Sequence, residues 1–571
     1  MEAGGYKKLW ISVCTRRDDK LLFSTKLMKI KTLLFIPPVL FLITLGVNLL
    51  FVSYRPPQRV NQLIMSSIGD ASFLNPILAQ DSASSEINSL VYNGLIKYDR
   101  NLQNFVGVLA ESWKVEDGKE PRITFSLRKG VHWHDGKEFT AHDVKFTYDK
   151  IMDEKTNTVR RSDYEVVKEA EVLDPYTFRV TYKQPFSPGL GTWSMGIIPK
   201  HLLEKEDINT TSFNRKPVGT GPFRFVEWVT DEKIVVEANP KYFEGKPGLD
   251  RIIYRIIPET SLSEMELLTK GIDYYGVLPH QYRRMSKVPL LKIYSQPVFS
   301  YSYLGYNLNN PLFQDKKVRQ AFSHAINREE LVQYVLYGFG AVISGPFPSH
   351  LWYYNPNVKP VPYDLDKARQ LLSEAGWKDR DGDGILDKDG KPFRFKLITN
   401  SGNDIRRDVG VLVQRQLREL GVDVTFETYE WSIFLKNFIN ARHFDACILG
   451  WGLSPDPDDY MIWHSSQIEK GFNFISYRNP EADRLWEEGR KEYDVEKRKH
   501  IYWRIHELIA EDQPYTFLYM PLGLSALQRR FFLMERDEKG KEALQEIRLE
   551  KAGLMYDLVK WTVPKGIALE R

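Results

Sequence analysis

The stretch FRFKLITNSGNDIRRDVGVLVQRQLRELGVDVTF, residues 393–426, decides the fold class. Apolar residues alternate over 393–397, as they do in a half-buried strand. A helical pattern follows over about 405–420 and ends at Gly421, a residue typical of the position just after a helix. Apolar residues then alternate again over 422–426. Strand, helix and strand joined by short connections predict an α/β unit with a largely parallel sheet.

The same rhythm extends in both directions from this stretch. Helical spacing occurs over 318–326 and 368–375 on the N-terminal side. On the C-terminal side, the pattern predicts a strand at 445–449, a helix over Glu481–Ile509 and a strand at Tyr515–Tyr519. We therefore expect one α/β lobe from about residue 310 onwards.

The chain before residue 310 reads mainly as strands. Period-2 alternation over 123–127 ends at the turn residues Asp135 and Gly136, and the pattern returns over Thr177–Lys183, Lys233–Asn239 and Arg251–Ile257. Together the two parts predict a mixed α/β protein with at least two unlike lobes.

Length and composition agree with a packed protein of several lobes. At 571 residues the chain is long enough for about three domains. Hydrophobic residues make up 42% and charged residues 27%, which argues against disorder. The aromatic share is 13%, and such side chains suit ligand clefts as well as cores.

Charge is concentrated at the N-terminus. The chain has a net charge of +4, but residues 1–31 hold eight Lys or Arg against three Asp or Glu, so the remainder is at −1. A nearly neutral body lacks the basic surface that nucleic acid binding requires. We expect no nucleic-acid partner.

An uncharged apolar segment, Thr32–Tyr54, follows this basic region. As a helix it would span about 30 Å of hydrocarbon. The basic flank predicts that residues 1–31 are a cytoplasmic n-region and that the body lies on the periplasmic or extracellular face. Residues 32–54 are a retained anchor or a cleaved signal, and the true start is Met1 or Met28. Cys14 and Cys447 lie on opposite sides of the segment, so no disulfide framework is expected.

Enzyme motifs are absent from the sequence. There is no Walker A motif, no GxSxG elbow and no HExxH zinc motif, since His506-Glu507 is followed by Leu508, Ile509 and Ala510. A glycosidase-like carboxylate pair stays open, because pairing across a fold is invisible in sequence. We expect a protein that is not an enzyme and requires no cofactor.

One acidic loop has the character of a metal site. Asp379, Asp381, Asp383 and Asp387 surround Gly384 with the alternate-position oxygens that calcium loops use. The twelfth position is Gly390 instead of a bidentate Glu. The sequence allows either a structural calcium ion or a solvated turn.

A second acidic loop, Gly450–Tyr460, follows the predicted strand 445–449. Ligands bind at the carboxyl ends of strands in α/β sheets. Two prolines stiffen the loop, Trp451 offers an aromatic face, and three carboxylates, Asp456, Asp458 and Asp459, could meet a cation. The alternative is that these residues only shape a turn.

Several motifs in a fixed order resemble one family. They are SFLNPILAQDSASSEINSLVYNGLIKYD (72–99), LAESWKV (109–115), TFSLRKGVHWHDGKEFTAHDVKFTYD (124–149), PVGTGPFRFVEW (217–228), NPKYFEGKPGLDRI (239–252), YNLNNPLFQDKKVRQAFSHAINREEL (306–331) and AGWKDRDGDGILDKDGKPF (375–393). In this order they are similar to the extracytoplasmic solute-binding proteins of peptide-importing ABC transporters, family 5, from about Gln62 to Arg529.

The resemblance implies an α/β fold of the periplasmic-binding-protein type II class with three lobes and a ligand cleft between domains I and III. Domain I would be discontinuous, with domain II inserted into it. The implied limits are 58–92, 215–305 and 513–571 for domain I, 93–214 for domain II and 306–512 for domain III.

The resemblance also implies that short peptides are captured without turnover. In some members an aspartate after the Gly-Trp pair meets the peptide amine. Here that slot falls near Ser454, so the role would pass to Asp456 or Asp458. The implied ligand-facing residues are Ser67, Ile68, Gly69, Asp70, Ala71, Asn400, Ser401, Asn403, Trp451, Gly452, Ser454, Asp456 and Asp458.

The expected partners are a short peptide, the permease subunits of an ABC importer and the membrane, through the N-terminal segment. We expect a monomer. The same fold carrying another solute, such as a sugar, a nickel chelate or haem, is the alternative, because no arginine for a ligand carboxylate is evident around Asn400–Asn403. An exported enzyme on this scaffold is the third possibility.

Overall fold

The computed structural model describes residues 61–536 and 540–564. The predicted n-region 1–31 and apolar segment 32–54 lie outside the described residues. Within the described ranges, no helix has the length and apolar character needed to cross a membrane.

A single mixed sheet of twelve strands runs through the molecule. Ten of its strands follow one another in space in the order Asp423–Tyr429, Arg394–Asn400, Ala446–Gly452, Ser300–Tyr306, Tyr515–Gln528, Tyr274–Gly276, Gln62–Ser67, Arg251–Ile256, Lys233–Ala238 and Phe223–Val229. The other two, Leu291–Pro297 and Gly340–Val342, also pair with Tyr515–Gln528.

Smaller sheets flank the large one. A four-stranded sheet has the order Ala110–Glu116, Arg122–Leu127, Thr177–Tyr182 and Val167–Asp174. A three-stranded sheet contains Glu542–Glu546, Phe532–Arg536 and Trp561–Thr562, and two-stranded ribbons pair Ile96–Tyr98 with Phe105–Gly107 and Asp387–Lys388 with Lys391–Pro392.

Within the described part of the chain, eight longer α-helices cover these sheets. They are Ser82–Val91, Ala141–Met152, Thr260–Leu268, Lys316–Ala325, Leu365–Glu374, Asp404–Glu419, Pro480–Lys491 and Val495–Asp512. Shorter α-helical segments are Lys200–Leu203, Tyr282–Met285, Pro311–Gln314, Arg328–Glu330, Trp431–Ile433 and Tyr460–Trp463.

The strand Tyr515–Gln528, called here the shared strand, divides the large sheet. Its first residues pair with Ser300–Tyr306, and its last seven pair with Leu291–Pro297. We call the half that contains Gln62–Ser67 lobe I, the four-stranded sheet and its helix Ala141–Met152 lobe II, and the half that contains Arg394–Asn400 lobe III.

Lobes I and II share a continuous hydrophobic core, which includes Leu63, Phe125 and Trp561. Lobe III has two cores of its own, represented by Phe322 and Trp486. Lobes I and II therefore form one packed body that faces lobe III. The exact chain limits of the three domains stay a prediction.

The strand–helix–strand pattern of residues 393–426 is present in lobe III. Arg394–Asn400 is followed by the helix Asp404–Glu419 and by Asp423–Tyr429, which pairs in parallel with the first strand. The helix begins where the Asn403 side chain accepts a hydrogen bond from the Arg406 amide, and it ends before Gly421, whose φ is +86°.

Two details of the lobe III prediction are wrong. Within lobe III, the sheet is parallel only from Asp423–Tyr429 to Ala446–Gly452, because Ser300–Tyr306 enters antiparallel from lobe I. The helix predicted over Glu481–Ile509 is two helices, since the chain breaks at Glu492 and Asp494 caps the second helix by accepting from the Lys497 amide.

A buried ion pair joins the end of the shared strand to lobe I. Both oxygens of the Asp273 carboxylate accept hydrogen bonds from Arg530, at 3.1 and 2.8 Å, and Asp273 also accepts from the Ile64 amide. Both side chains are almost completely buried, with exposed fractions of 5% for Arg530 and 0% for Asp273.

We expect Asp273→Ala to lower the free energy of unfolding by about 3–5 kcal/mol, because it leaves a buried guanidinium without its carboxylate. Urea unfolding of the ligand-free protein measures the loss. The control is Asp149→Ala, which removes a half-exposed partner of Lys145 and should cost at most about 1 kcal/mol. Equal losses for the two variants would contradict this account.

Candidate functional site

A cavity of about 720 Å³ lies between the lobes. One wall comes from the lobe I–II body, through Gln80, Asp81, Ser82, Ser85 and Arg160. The opposite wall comes mainly from lobe III, and Tyr519 and Pro521 of the shared strand contribute to the lining. A volume of this size is typical of ligand pockets.

The end of the strand Ala446–Gly452 and the loop that follows form much of the lobe III wall. Trp451, Gly452, Ser454 and Asp458 line the cavity, as does Asn403. The structure thus brings these five predicted ligand-facing residues together at the carboxyl end of the strand. Which of them touch the ligand stays a prediction.

Trp451 is held rigidly in this wall. Its ring is stacked near Tyr303, with 6.4 Å between centroids, and lies 5.4 Å from Phe472 and 5.7 Å from Phe474. Its indole Nε1 donates a hydrogen bond of 3.3 Å to the Tyr515 hydroxyl. A fixed aromatic face of this kind offers contact area at little entropic cost on binding.

Asp456 and Asp458 both have arginine partners. Asp456 accepts two hydrogen bonds from Arg498, at 2.7 and 2.8 Å, and is not among the cavity-lining residues. Asp458 Oδ2 lies 3.0 Å from Arg490 Nε, at an angle that does not form a hydrogen bond. Burial raises the pKa of Asp458 to about 6, and Arg490 opposes this shift. Both carboxylates already have a countercharge.

Asp459, the third carboxylate of the loop, has no such partner and was left out of the predicted ligand-facing set. Its Oδ2 is buried without a hydrogen-bond partner, and no Lys, Arg or His in the described part of the chain forms an ion pair with it. Burial raises its pKa well above the usual range, with further contributions from Asp458 and Asp456. This carboxylate lines the cavity and could accept a cationic group.

Arg406 is a complementary group that sequence reasoning also missed. Its guanidinium lines the cavity and donates one hydrogen bond of 2.7 Å to Asn400 Oδ1. Burial lowers its pKa, and within the described residues no carboxylate forms an ion pair with it. One sequence signal could have found it. Arg406 is in the first turn of a helix that starts just beyond the carboxyl end of a strand.

The other predicted segments lie at the contact between lobes I and III. Asp70 accepts hydrogen bonds from Trp228 Nε1 and the Asp231 amide, so it stabilises lobe I. Gly69 lies against Trp431 so closely that an added Cβ would be 3.3 Å from its ring. Of the predicted residues, Ser67, Ile68, Gly69, Asp70, Ala71, Asn400, Ser401 and Asp456 are outside the cavity lining.

The predicted calcium loop is on the surface of lobe III. Carboxylate oxygens of Asp379, Asp381 and Asp383 lie within 4.8 Å of one another, and all three residues are exposed. Asp387, the fourth predicted ligand, instead bonds to Arg380 at 2.7 Å. Three of the four predicted residues therefore converge.

The molecule has two halves that are joined by the shared strand and separated by a charged cavity. This arrangement is typical of two-lobed proteins that enclose a small solute. The fold is the periplasmic-binding-protein type II fold. Residues 104–472 match the family model described as bacterial extracellular solute-binding proteins, family 5. The chain belongs to this family.

Individual proteins are similar to this chain over most of its length. The oligopeptide-binding protein AppA of Bacillus subtilis is 40% identical over 519 residues, which cover 89% of this chain and 93% of AppA. Its structure in complex with a nonapeptide matches with a TM-score of 0.83, 39% identity and coverage of 89% and 100% of the two chains. NikZ of Campylobacter jejuni in complex with Ni(L-His) matches with a TM-score of 0.78, 28% identity and coverage of 88% and 99%.

The unpaired Asp459 predicts a pH-dependent stability in the ligand-free protein. A carboxyl whose pKa is raised by folding binds protons more tightly in the folded state, so stability falls as pH rises above the unfolded value. We expect Asp459→Asn to raise the melting temperature by a few degrees at pH 7 and by clearly less at pH 5, which lies nearer the unfolded value. Thermal unfolding at the two pH values measures this.

Asp456→Asn provides the matched control for this measurement. Because it removes the carboxylate from the buried Arg498, it should lower the melting temperature at pH 7. The same stabilising shift at pH 5 and pH 7 for Asp459→Asn would contradict the role assigned to burial of its charge.

Proposed function

We propose that the protein captures short peptides in the interlobe cavity, without chemical turnover, and delivers them to the permease of an ATP-driven importer. The observation that carries the proposal is that one cavity contains a buried carboxylate, Asp459, and a half-buried arginine, Arg406, neither with an ion-pair partner among the described residues. A peptide has the matching charges at its two ends. We propose that it acts as a monomer.

Relatives support a peptide ligand. AppA is named as an oligopeptide-binding protein, and its solved structure holds a nonapeptide. A Helicobacter pylori protein, DppA, was solved with the peptide STSA and matches with a TM-score of 0.77, 26% identity and coverage of 89% and 99% of the two chains.

The physical basis for binding is charge compensation in a desolvated site. An amine beside Asp459 would restore the ionised carboxylate that burial penalises. A carboxylate beside Arg406 would compensate the positive charge of the guanidinium. Charge-assisted hydrogen bonds of this kind contribute about 1.5–3 kcal/mol each. Trp451 would cover an apolar part of the ligand.

A different solute is the second candidate. NikZ binds Ni(L-His), and a relative in Haemophilus influenzae, 27% identical over 485 residues that cover 80% of this chain and 86% of that protein, is named a heme-binding protein. The observation that favours this candidate is Arg406, since a metal chelate or haem also presents carboxylates.

For the peptide proposal, we expect Asp459→Asn to weaken binding of alanine-based peptides of three to nine residues by about ten- to a hundredfold. N-acetylation of the same peptides should weaken wild-type binding similarly and have little further effect on the variant. Trp451→Ala should reduce affinity without changing this dependence on the amine. Calorimetry on the folded proteins measures all three.

The control for this experiment is Asp366→Asn, which removes a carboxylate that is 96% exposed and pairs with Arg369 on the outside of lobe III. It should leave affinity unchanged. No binding of any peptide by the wild-type protein, together with binding of a nickel–histidine complex or haem, would favour the second candidate.

We propose that residues 32–54 place the body outside the cytoplasm as a membrane anchor. The uncharged segment and its basic flank support this orientation. A reporter that is active only in the cytoplasm, fused after Arg571, should give no signal, and the protein should stay in the membrane fraction at high salt. Cytoplasmic reporter activity would contradict the export proposal, and release as a shortened soluble chain would indicate cleavage.

We propose that the loop 379–383 binds a structural calcium ion, because three carboxylates approach one another there. Chelation should then lower the melting temperature and leave peptide affinity intact, since the loop is outside the cavity lining. Asp381→Asn should remove the effect of chelator. Identical melting curves with and without chelator would leave the loop as a turn held by its own hydrogen bonds.

A further inference from the structure

Arg160 is the residue that lobe II contributes to the cavity lining. It begins a short 3₁₀ helix, Arg160–Asp163, on the wall opposite lobe III. Its Nε is buried and has no hydrogen-bond partner, and no carboxylate of the described residues is within ion-pair distance of its guanidinium. A half-buried cation with no ion-pair partner among the described residues therefore lines the cavity, and Asp163 attracts it only at longer range.

The nearby acidic residue Asp163 bonds to Arg490 and not to Arg160. Its Oδ1 accepts a hydrogen bond of 3.3 Å from Arg490 of lobe III, and Arg490 also donates to the Ser162 carbonyl at 3.2 Å. The Arg490 guanidinium lies between two rings, 4.8 Å from the centre of Phe186 and 4.2 Å from that of Tyr460. These contacts fix the turn that presents Arg160.

The remaining charges of the cavity do not compensate Arg160. Asp458 is paired with Arg490, and Asp81 accepts from both the amide and the hydroxyl of Ser84, as the cap of a helix. Asp459 is a single carboxylate, whereas Arg160 and Arg406 are two guanidinium groups. A ligand that satisfies all three groups must carry one cation and two anions.

We infer that Arg160 is a specificity-determining residue that binds a second carboxylate of the ligand, so that the protein prefers peptides with an acidic side chain. This inference rests on the proposed peptide function. A peptide supplies one amine and one carboxylate at its ends, and an aspartate or glutamate supplies the additional anion. A guanidinium recognises a carboxylate with two parallel hydrogen bonds, which the amide of Gln or Asn cannot reproduce.

The position of Arg160 on the wall opposite lobe III adds a kinetic consequence. A ligand whose carboxylate is bound by Arg160 is held at the same time, through its other groups, by lobe III on the opposite wall. Release then requires both sets of contacts to break. Acidic peptides should therefore dissociate more slowly than their neutral counterparts.

The test compares matched peptides and matched variants. The probes are alanine-based peptides of three to six residues in which one Glu is moved through every internal position, each paired with Gln at the same position. Affinity is measured by calorimetry and dissociation by stopped-flow fluorescence of the full chain. The variants are Arg160→Gln, Arg160→Lys and, as control, Lys155→Gln, which removes an exposed charge from lobe II outside the cavity.

For at least one position, wild-type protein should bind the Glu peptide about tenfold more tightly than the Gln peptide, mainly through slower dissociation. Arg160→Gln should abolish this preference and bind the Gln peptide as the wild type does, which also shows that the variant is folded. Arg160→Lys should keep part of the preference, and Lys155→Gln should keep all of it.

The outcomes separate this inference from the proposed function. Wild-type binding of Glu and Gln peptides with equal affinity at every position would overturn the role of Arg160 and leave peptide capture intact. A preference that survives in Arg160→Gln would also overturn it. Absence of binding by any peptide to the wild-type protein would overturn both.

Discussion

The shared strand Tyr515–Gln528 is the constraint on which the rest of the structure depends. One continuous backbone contributes hydrogen bonds to lobe III at its start and to lobe I at its end. Its end is secured by the buried pair of Arg530 and Asp273, which ties it to the strand Gln62–Ser67. Because hydrogen bonding in a sheet continues through this strand, the cavity beside it has a fixed floor, to which Tyr519 and Pro521 contribute.

Arginine pairing determines which charges in the cavity wall remain available. Three closely spaced carboxylates in the lobe III loop look alike in sequence: Asp456, Asp458 and Asp459. Two of them are neutralised by Arg498 and Arg490, which come from the two helices behind the loop. The third, Asp459, is buried, and no described residue supplies a countercharge, which is a costly arrangement unless a ligand supplies one. The buried charge of Asp459 therefore lowers the stability of the ligand-free protein and favours the binding of a cationic ligand.

The family comparison fits this division between scaffold and site. Relatives with peptide, metal-chelate and haem names share the fold with this chain at 26–40% identity. Ligand choice in such a family must therefore depend on a few side chains that face the cleft. Among the described residues of the cavity wall, Asp459, Arg406 and Arg160 are charged side chains without an ion-pair partner, and they come from both walls.

Sequence patterns alone predicted many of the strands and helices, whereas the three-lobed arrangement came from the family resemblance. The alternation around residues 393–426 gave the strand, helix and strand of lobe III nearly to the residue, because local periodicity reports which face of each element is buried. The two helices after residue 480 were predicted as a single helix, because the apolar pattern continues across Glu492. The break shows only in the structure, where Asp494 caps the start of the second helix. The antiparallel pairing of Ala446–Gly452 with Ser300–Tyr306 was missed, since strand orientation depends on partners that are distant in the chain.

For the site, the sequence by itself determined where to look, namely the loop after the strand 446–452, because ligands gather at the carboxyl ends of strands. Of the thirteen ligand-facing residues that the sequence and the family resemblance together implied, five lie in the cavity lining: Asn403, Trp451, Gly452, Ser454 and Asp458. Only the tertiary structure decided which charges are free. Asp456 and Asp459 differ through Arg498, which is 42 residues from Asp456 in the chain, and Arg160 reaches the same cavity from another lobe. Desolvation and countercharge are properties of a three-dimensional neighbourhood, and no local pattern of residues specifies them.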